Sequence, residues 1–162
     1  MFRPFLLLLL SLVASPALAH EGVHIVDAYA RVVTDTAKSG AAYFVIENHG
    51  PNPDRLLSVT ADAAAQAMLH SNVEDANGVM SMQMIDGGIE VPGNATHVLG
   101  RAGDHLMLMG LTKPLRPGDI ITLTLTFERE GTVVVEAPVD NDRPAEASAA
   151  AMPNHDHMTP SP

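Results

Sequence analysis

Soft metal donors set this chain apart. Its 162 residues include nine Met and eight His, with no Cys and no Trp. Their placement says more than their number. If "DHLMLMGL" (Asp104 to Leu111) is a strand, His105, Met107 and Met109 share one face while Leu106 and Leu108 share the other. In "VMSMQMI" the same period of two aligns Met80, Met82 and Met84, and His70 and Met68 stand just upstream. A leucine face is ordinary core, but a face of imidazole and thioethers asks for another reason. A thioether is soft, neutral and needs no deprotonation, so it suits Cu(I) far better than zinc, calcium or magnesium, and imidazole suits copper in either oxidation state. Without Cys there is no thiolate copper, zinc or iron–sulfur site, and no blue-copper centre, which is built on two His and a Cys. Holding and passing on one oxidation state then fits better than redox cycling. Taken singly, each Met stripe reads as packing, because Met is a common gap filler. The combination of an upstream His, a Met strand and a His-x-Met strand points to a metal.

Other donors are weaker candidates. Met152, His155, His157 and Met158 ("MPNHDHM") form a second candidate site, one that would prefer Cu(II) through its imidazoles, or else an accidental cluster in low-complexity sequence. Cleavage after Ala19 would make His20 an amino-terminal copper chelator. This opens an alternative of another class, an exported copper enzyme with an N-terminal His brace. No second His is nominated for such a brace, and no Trp offers a polysaccharide-binding face. His24, His49 and His97 read as ordinary strand or loop residues. Ser39 and Ser71 lack a nucleophile-elbow context, and no carboxylate is paired with a base, so hydrolase chemistry is not indicated. A third reading is a metal-free β-sandwich binding module.

These donors need a scaffold to position them. "MFRPFLLLLLSLVASPALA" (Met1 to Ala19) has a lone basic residue, a short apolar run and small residues at Ala17 and Ala19, the pattern of a cleaved signal peptide. The run is short of the roughly 20 residues that span a bilayer, so no stable membrane insertion is expected after cleavage. With no Cys there is also nothing to carry a lipid anchor. Beyond it, eight or nine short strands with Gly and Pro punctuation predict an all-β sandwich over residues 20–139, with a barrel as the alternative. "ITLTLTF" and "TVVVEAPV" around Glu130-Gly131 read as a hairpin. "DAAAQAMLH" (Asp62 to His70) is ambiguous, since its alanines favour helix in a strand-like context. Residues 140–162, rich in Ala, Pro and polar residues, predict a disordered tail.

The charge is −10, from 19 Asp and Glu against 9 Lys and Arg. That excludes a nucleic-acid partner, which needs a basic surface, and otherwise speaks to solubility.

Several stretches resemble the PCu(A)C family of periplasmic copper chaperones: "NGVMSM" (Asn77 to Met82), "GGIEVP" (Gly87 to Pro92) and "HLMLMGL" (His105 to Leu111). The resemblance extends to "DAYAR", "SGAAYFVIEN", "LTKPLRPGD" and "ITLTLTFE", most of the predicted domain. The family pattern is a His, ten residues, a Met, twenty-one residues, then His-x-Met; here each gap is one residue longer. By position the resemblance implies His70, Met82, His105 and Met107 as Cu(I) ligands, with Met80 or Met84 as alternatives to Met82. Met109 would support the site. It further implies a cupredoxin-like Greek-key β-sandwich with the site exposed on one side. The expected role is a monomeric, non-enzymatic periplasmic protein that delivers copper to the CuA subunit of cytochrome c oxidase, a related respiratory oxidase or another copper assembly factor. Some members of the family carry His- and Met-rich tails like the one here.

Overall fold

A computed structural model describes residues 22–144. The predicted signal peptide, His20 and the four tail donors lie outside the described residues. Among the described residues ten strands follow one another without a helix: β1 (Val23–Val32), β2 (Ser39–Asn48), β3 (Asp54–Ala61), β4 (Ala64–Glu74), β5 (Met80–Met84), β6 (Ile89–Val91), β7 (Ala95–Leu99), β8 (Asp104–Leu111), β9 (Ile120–Phe127) and β10 (Thr132–Pro138). They form two antiparallel sheets. The first runs β1-β2-β8-β4-β5, with β7 sharing the β8 side of β2, and the second runs β10-β9-β3-β6. The chain crosses repeatedly between the sheets, giving the expected cupredoxin-like Greek-key sandwich rather than a closed barrel.

Alternation writes the core. Phe44 and Ile46 of β2, Leu106 and Leu108 of β8, and Ile121, Leu123 and Leu125 of β9 are all fully buried between the sheets. The β9–β10 hairpin forms as predicted, pairing Thr132 with Thr126 and Pro138 with Ile120. The stretch that left helix and strand open resolves as strand. From Ala64 to Ser71 it pairs with β8, and from His70 to Glu74 with β5. Two ladders outweigh the modest helix propensity of its alanines. Counting this strand brings the total to ten, more than the eight or nine expected.

Two backbone features hold the layout. Gly88 (φ +82°) ends the turn that returns the chain from β5 to β6; a Cβ there would lie 2.2 Å from the Leu56 carbonyl oxygen. In β1 the register shifts between Val26 and Tyr29, and Asp27 adopts φ 58°. Asp27 pairs with Arg143, whose guanidinium carbon lies 4.5 Å from the Tyr29 ring centroid. Residues past β10 keep bonding to β1: Asp140 N–H donates to the Ala30 carbonyl (2.9 Å), and Val32 N–H donates to Asn141 Oδ1 (3.0 Å).

Candidate metal centre

Strand β4 lies between β5 and β8, and its pairing decides which donors meet. His70 is directly opposite Met84 on one side and His105 on the other. Asn72 faces Met82, and Met68 faces Met107. Directly opposed residues share a face, so Met68, His70, Met80, Met82, Met84, His105, Met107 and Met109 all stand on one face of the first sheet. It is the outer face, because the intervening Leu69, Leu106 and Leu108 point into the core. The expectation that His105, Met107 and Met109 are co-facial therefore agrees with the register.

The β4–β5 loop fixes that register. Asp75 Oδ1 accepts from the N–H groups of Asn77 (2.8 Å) and Val79 (2.9 Å), and Gly78 supplies φ +80°. The same two N–H groups, Val79 first, hold the Asp75 carboxyl below the usual carboxylate range. The loop therefore presents an anion-stabilised turn that keeps Glu74 opposite Met80. Strand β5, at the edge of the first sheet, is exposed along its whole length.

Within this face His70 Nδ1 lies 3.1 Å from Met82 Sδ. The His70 and His105 rings meet edge to face with centroids 6.1 Å apart. His105 is 5% exposed, whereas Met82 is 52% exposed, so the cluster is deep at one end and open at the other. His105 Nδ1 lies 3.0 Å from the Gly103 carbonyl oxygen. A carbonyl can only accept, so Nδ1 is the donor, and in the neutral ring this bond leaves the Nε2 lone pair available to a metal.

Residues that sequence reasoning did not single out hold this arrangement. The Gly103 carbonyl also accepts from Asn72 N–H (3.3 Å), and Asn72 Nδ2 donates to the Arg101 carbonyl (3.2 Å). His97 Nε2 bonds Asp104 Oδ2 at 2.9 Å, closing the β7–β8 turn. His97, read from sequence as an ordinary strand or loop residue, lies in β7. Tyr43 stacks beside His105 (centroids 6.5 Å) and against Tyr29 (5.0 Å). Burial, with a lesser push from Tyr29, raises the Tyr43 phenol above its ordinary value, against the pull of Arg101 and Arg31. It stays neutral at physiological pH. No local sequence signal marks Asn72 or Gly103; Tyr43 lies in a quoted stretch without any hint of its contact. Met109 is one row further out, opposite Gln66 and Ser39.

Among the described residues no group of three or more His, Cys, Asp or Glu could hold a metal. A site of more than two donors on this face would therefore draw on thioethers. Two imidazoles and two thioethers are four neutral donors, a set that matches a soft monocation.

A family model, "Putative lipoprotein LpqE-like", matches residues 23–139. The chain belongs to this family. A relative from Leifsonia xyli subsp. xyli, named "Putative lipoprotein", is 34% identical over 127 residues, covering 77% of this chain and 74% of its own. The 162 residues here contain no Cys to bear a lipid. Solved structures share the fold. The Cu(I) form of DR1885 from Deinococcus radiodurans is 31% identical, with a TM-score of 0.56 over 71% of this chain and 76% of that one. The copper-bound PCuAC domain from PmoF2 is 21% identical, with a TM-score of 0.60 over 74% and 92%. The apo PCuAC domain from PmoF1 is 24% identical, with a TM-score of 0.63 over 74% and 93%.

Proposed function

We propose that this chain is an exported copper chaperone that holds one Cu(I) through His70, Met82, His105 and Met107. The observation that carries the reading is the contact of His70 Nδ1 with Met82 Sδ at 3.1 Å, on the face where the Gly103 carbonyl holds Nδ1 of His105 and leaves Nε2 as the ligating atom. Likeness to the Cu(I) form of DR1885 supports it. Met82 is preferred to Met80 and Met84 because of that contact, although Met84 stands directly opposite His70.

The gradient of exposure suggests how the ion is passed on. His105 is fixed by its own hydrogen bond and nearly buried, so it serves as the anchor. Met82 sits on the exposed hairpin and is the donor an incoming ligand displaces first. A thioether leaves without needing a proton, so exchange requires only that the acceptor's ligands approach from the β5 side. No step here is enzymatic.

The recipient we propose is an apo CuA subunit of cytochrome c oxidase or of a related respiratory oxidase, or another copper assembly factor. Signal cleavage after Ala19 would leave a soluble periplasmic monomer. The tail donors Met152, His155, His157 and Met158 would add a second, weaker site suited to Cu(II). Anaerobic mixing of the Cu(I)-loaded chain with a soluble apo CuA domain tests delivery. Copper is expected to move to the acceptor on separation of the two proteins. Copper that stays with the donor at every ratio would rule out this recipient.

A further inference from the structure

The outer face that carries the copper donors also carries a cavity of about 320 Å³, lined in part by Arg31, Arg101, Ser39, Tyr43 and Met107. The sheet register explains why it is there. Arg31 of β1 pairs with Ala41 of β2, and Ala41 pairs with Met107 of β8. The three stand in one row, and the middle one is a methyl group. Two strand spacings separate the backbones of Arg31 and Met107 by about 10 Å, with little to fill the gap. On β2, Ser39 and Tyr43 flank Ala41 on the same face and close the two ends. Arg101 reaches in from the β7–β8 turn.

The charge of the hollow runs against that of the chain. The protein carries −10, yet two guanidiniums line one cavity. Among the described residues neither Arg31 nor Arg101 has a carboxylate within 4.0 Å, whereas Arg55 has two and Arg116 and Arg143 have one each. Arg31 spends one donor, Nη1–H, on the Arg143 carbonyl (3.2 Å) and keeps the rest. Both guanidiniums line the same hollow as the Tyr43 ring. Paired guanidiniums with free forks match a carboxylate, and the Met107 wall offers apolar contact to the remainder of a ligand.

We infer that this cavity is a carboxylate subsite joined to the copper site through Met107. Arg31 and Arg101 hold the carboxylate, and Ser39 and the neutral Tyr43 phenol supply further hydrogen bonds. A copper donor a few bonds from that carboxylate then lies beside Met107, within reach of the ion. The shared chemistry is a carboxylate tethered to a soft or imidazole donor. It can come from a free amino-acid-like copper carrier or from an Asp or Glu beside the metal ligands of a protein acceptor. The role in copper exchange rests on the proposed copper site; the binding of the carboxylate does not.

The test uses apo full-length chain and N-acetylmethionine, followed by amide shifts of Ser39, Gly40 and Ala41. Saturable shifts are expected, absent with the neutral N-acetylmethionine amide. Arg101→Gln, in an exposed turn, and Arg31→Gln should each weaken binding by about tenfold or more, the loss of a charge-assisted hydrogen bond. A peptide with blocked ends, acetyl-Met-Glu-Met-amide, separates the sources. Tighter binding of the peptide assigns the subsite to a protein acceptor, and tighter binding of N-acetylmethionine assigns it to a free carrier. No shift with either probe, equal binding of the neutral amide, or binding untouched by both substitutions overturns the subsite. Separate Cu(I) titration of the wild-type chain distinguishes the two claims. Copper binding without carboxylate binding removes only the subsite, and carboxylate binding without copper binding removes only the copper reading.

Discussion

Adjacent substitutions in β8 should separate the two faces of one strand. Leu108 is fully buried and faces the second sheet; Met107 is half-buried and faces the copper donors. Leu108→Ala removes about three carbons, a transfer loss of about 2 kcal/mol at ~0.8 kcal/mol per methylene. The cavity left behind raises the cost to about 3–5 kcal/mol. For a domain of this size that lowers Tm by about 10 °C or more. Met107→Leu nearly conserves volume and should cost less than about 1.5 kcal/mol. It deletes a thioether, however, and should weaken Cu(I) binding by more than the ~10–100-fold typical of losing an outer-shell partner. Thermal melts of the apo proteins and competition with a chromophoric Cu(I) chelator read the two effects separately. Leu108→Ala should lose stability and keep its copper affinity; Met107→Leu should do the reverse. Exchange of the two outcomes would refute the register, because a slip of one residue swaps every side chain to the other face.

Two further outcomes follow from single groups. Among the described residues the buried Tyr29 phenol oxygen has no hydrogen-bond partner, while its ring sits under Arg143. Tyr29→Phe keeps the ring contact and removes the unpaired hydroxyl, so chemical denaturation should show equal or higher stability; a loss above about 1 kcal/mol would show that the hydroxyl has a partner. The Asp75 carboxyl is depressed in the fold by the Val79 and Asn77 N–H groups. Its contribution is therefore present above the unfolded value of about 4 and is lost as pH falls through the lower folded value. Protection of the Val79 amide in the β4–β5 loop should drop in acid, and Asp75→Ala should remove it at neutral pH. Unchanged protection in that variant would mean the turn holds without its carboxylate.

Much of the fold and site is legible because strands write themselves with period two. Leu106 and Leu108 against His105 and Met107 disclose the two faces of β8 without any partner strand. The even spacing of Met80, Met82 and Met84 does the same for β5, and Glu130-Gly131 between two β-branched runs marks a hairpin. Strand β4 is less legible, since Ala63 to Ala67 carry no alternation and only pairing with β5 and β8 makes the stretch extended. Nor does spacing give contact. That Met82 reaches the His70 ring, although Met84 stands directly opposite it, depends on side-chain direction across the ladder. That Asn72 and Gly103 fix the His105 tautomer depends on a turn thirty residues away closing against β4. The hollow between Arg31 and Met107 needs three strands in register before Ala41 becomes its floor.

The central claim is that one Cu(I) sits among His70, Met82, His105 and Met107, independently of the tail. The direct measurement is anaerobic Cu(I) titration of the full chain with Met152, His155, His157 and Met158 all replaced by Ala, against a competing chelator. The account predicts one tightly held equivalent, and its loss on adding His70→Ala or Met107→Ala. Failure of the tail-substituted chain to retain a stoichiometric Cu(I), or retention undiminished by both substitutions, would contradict it.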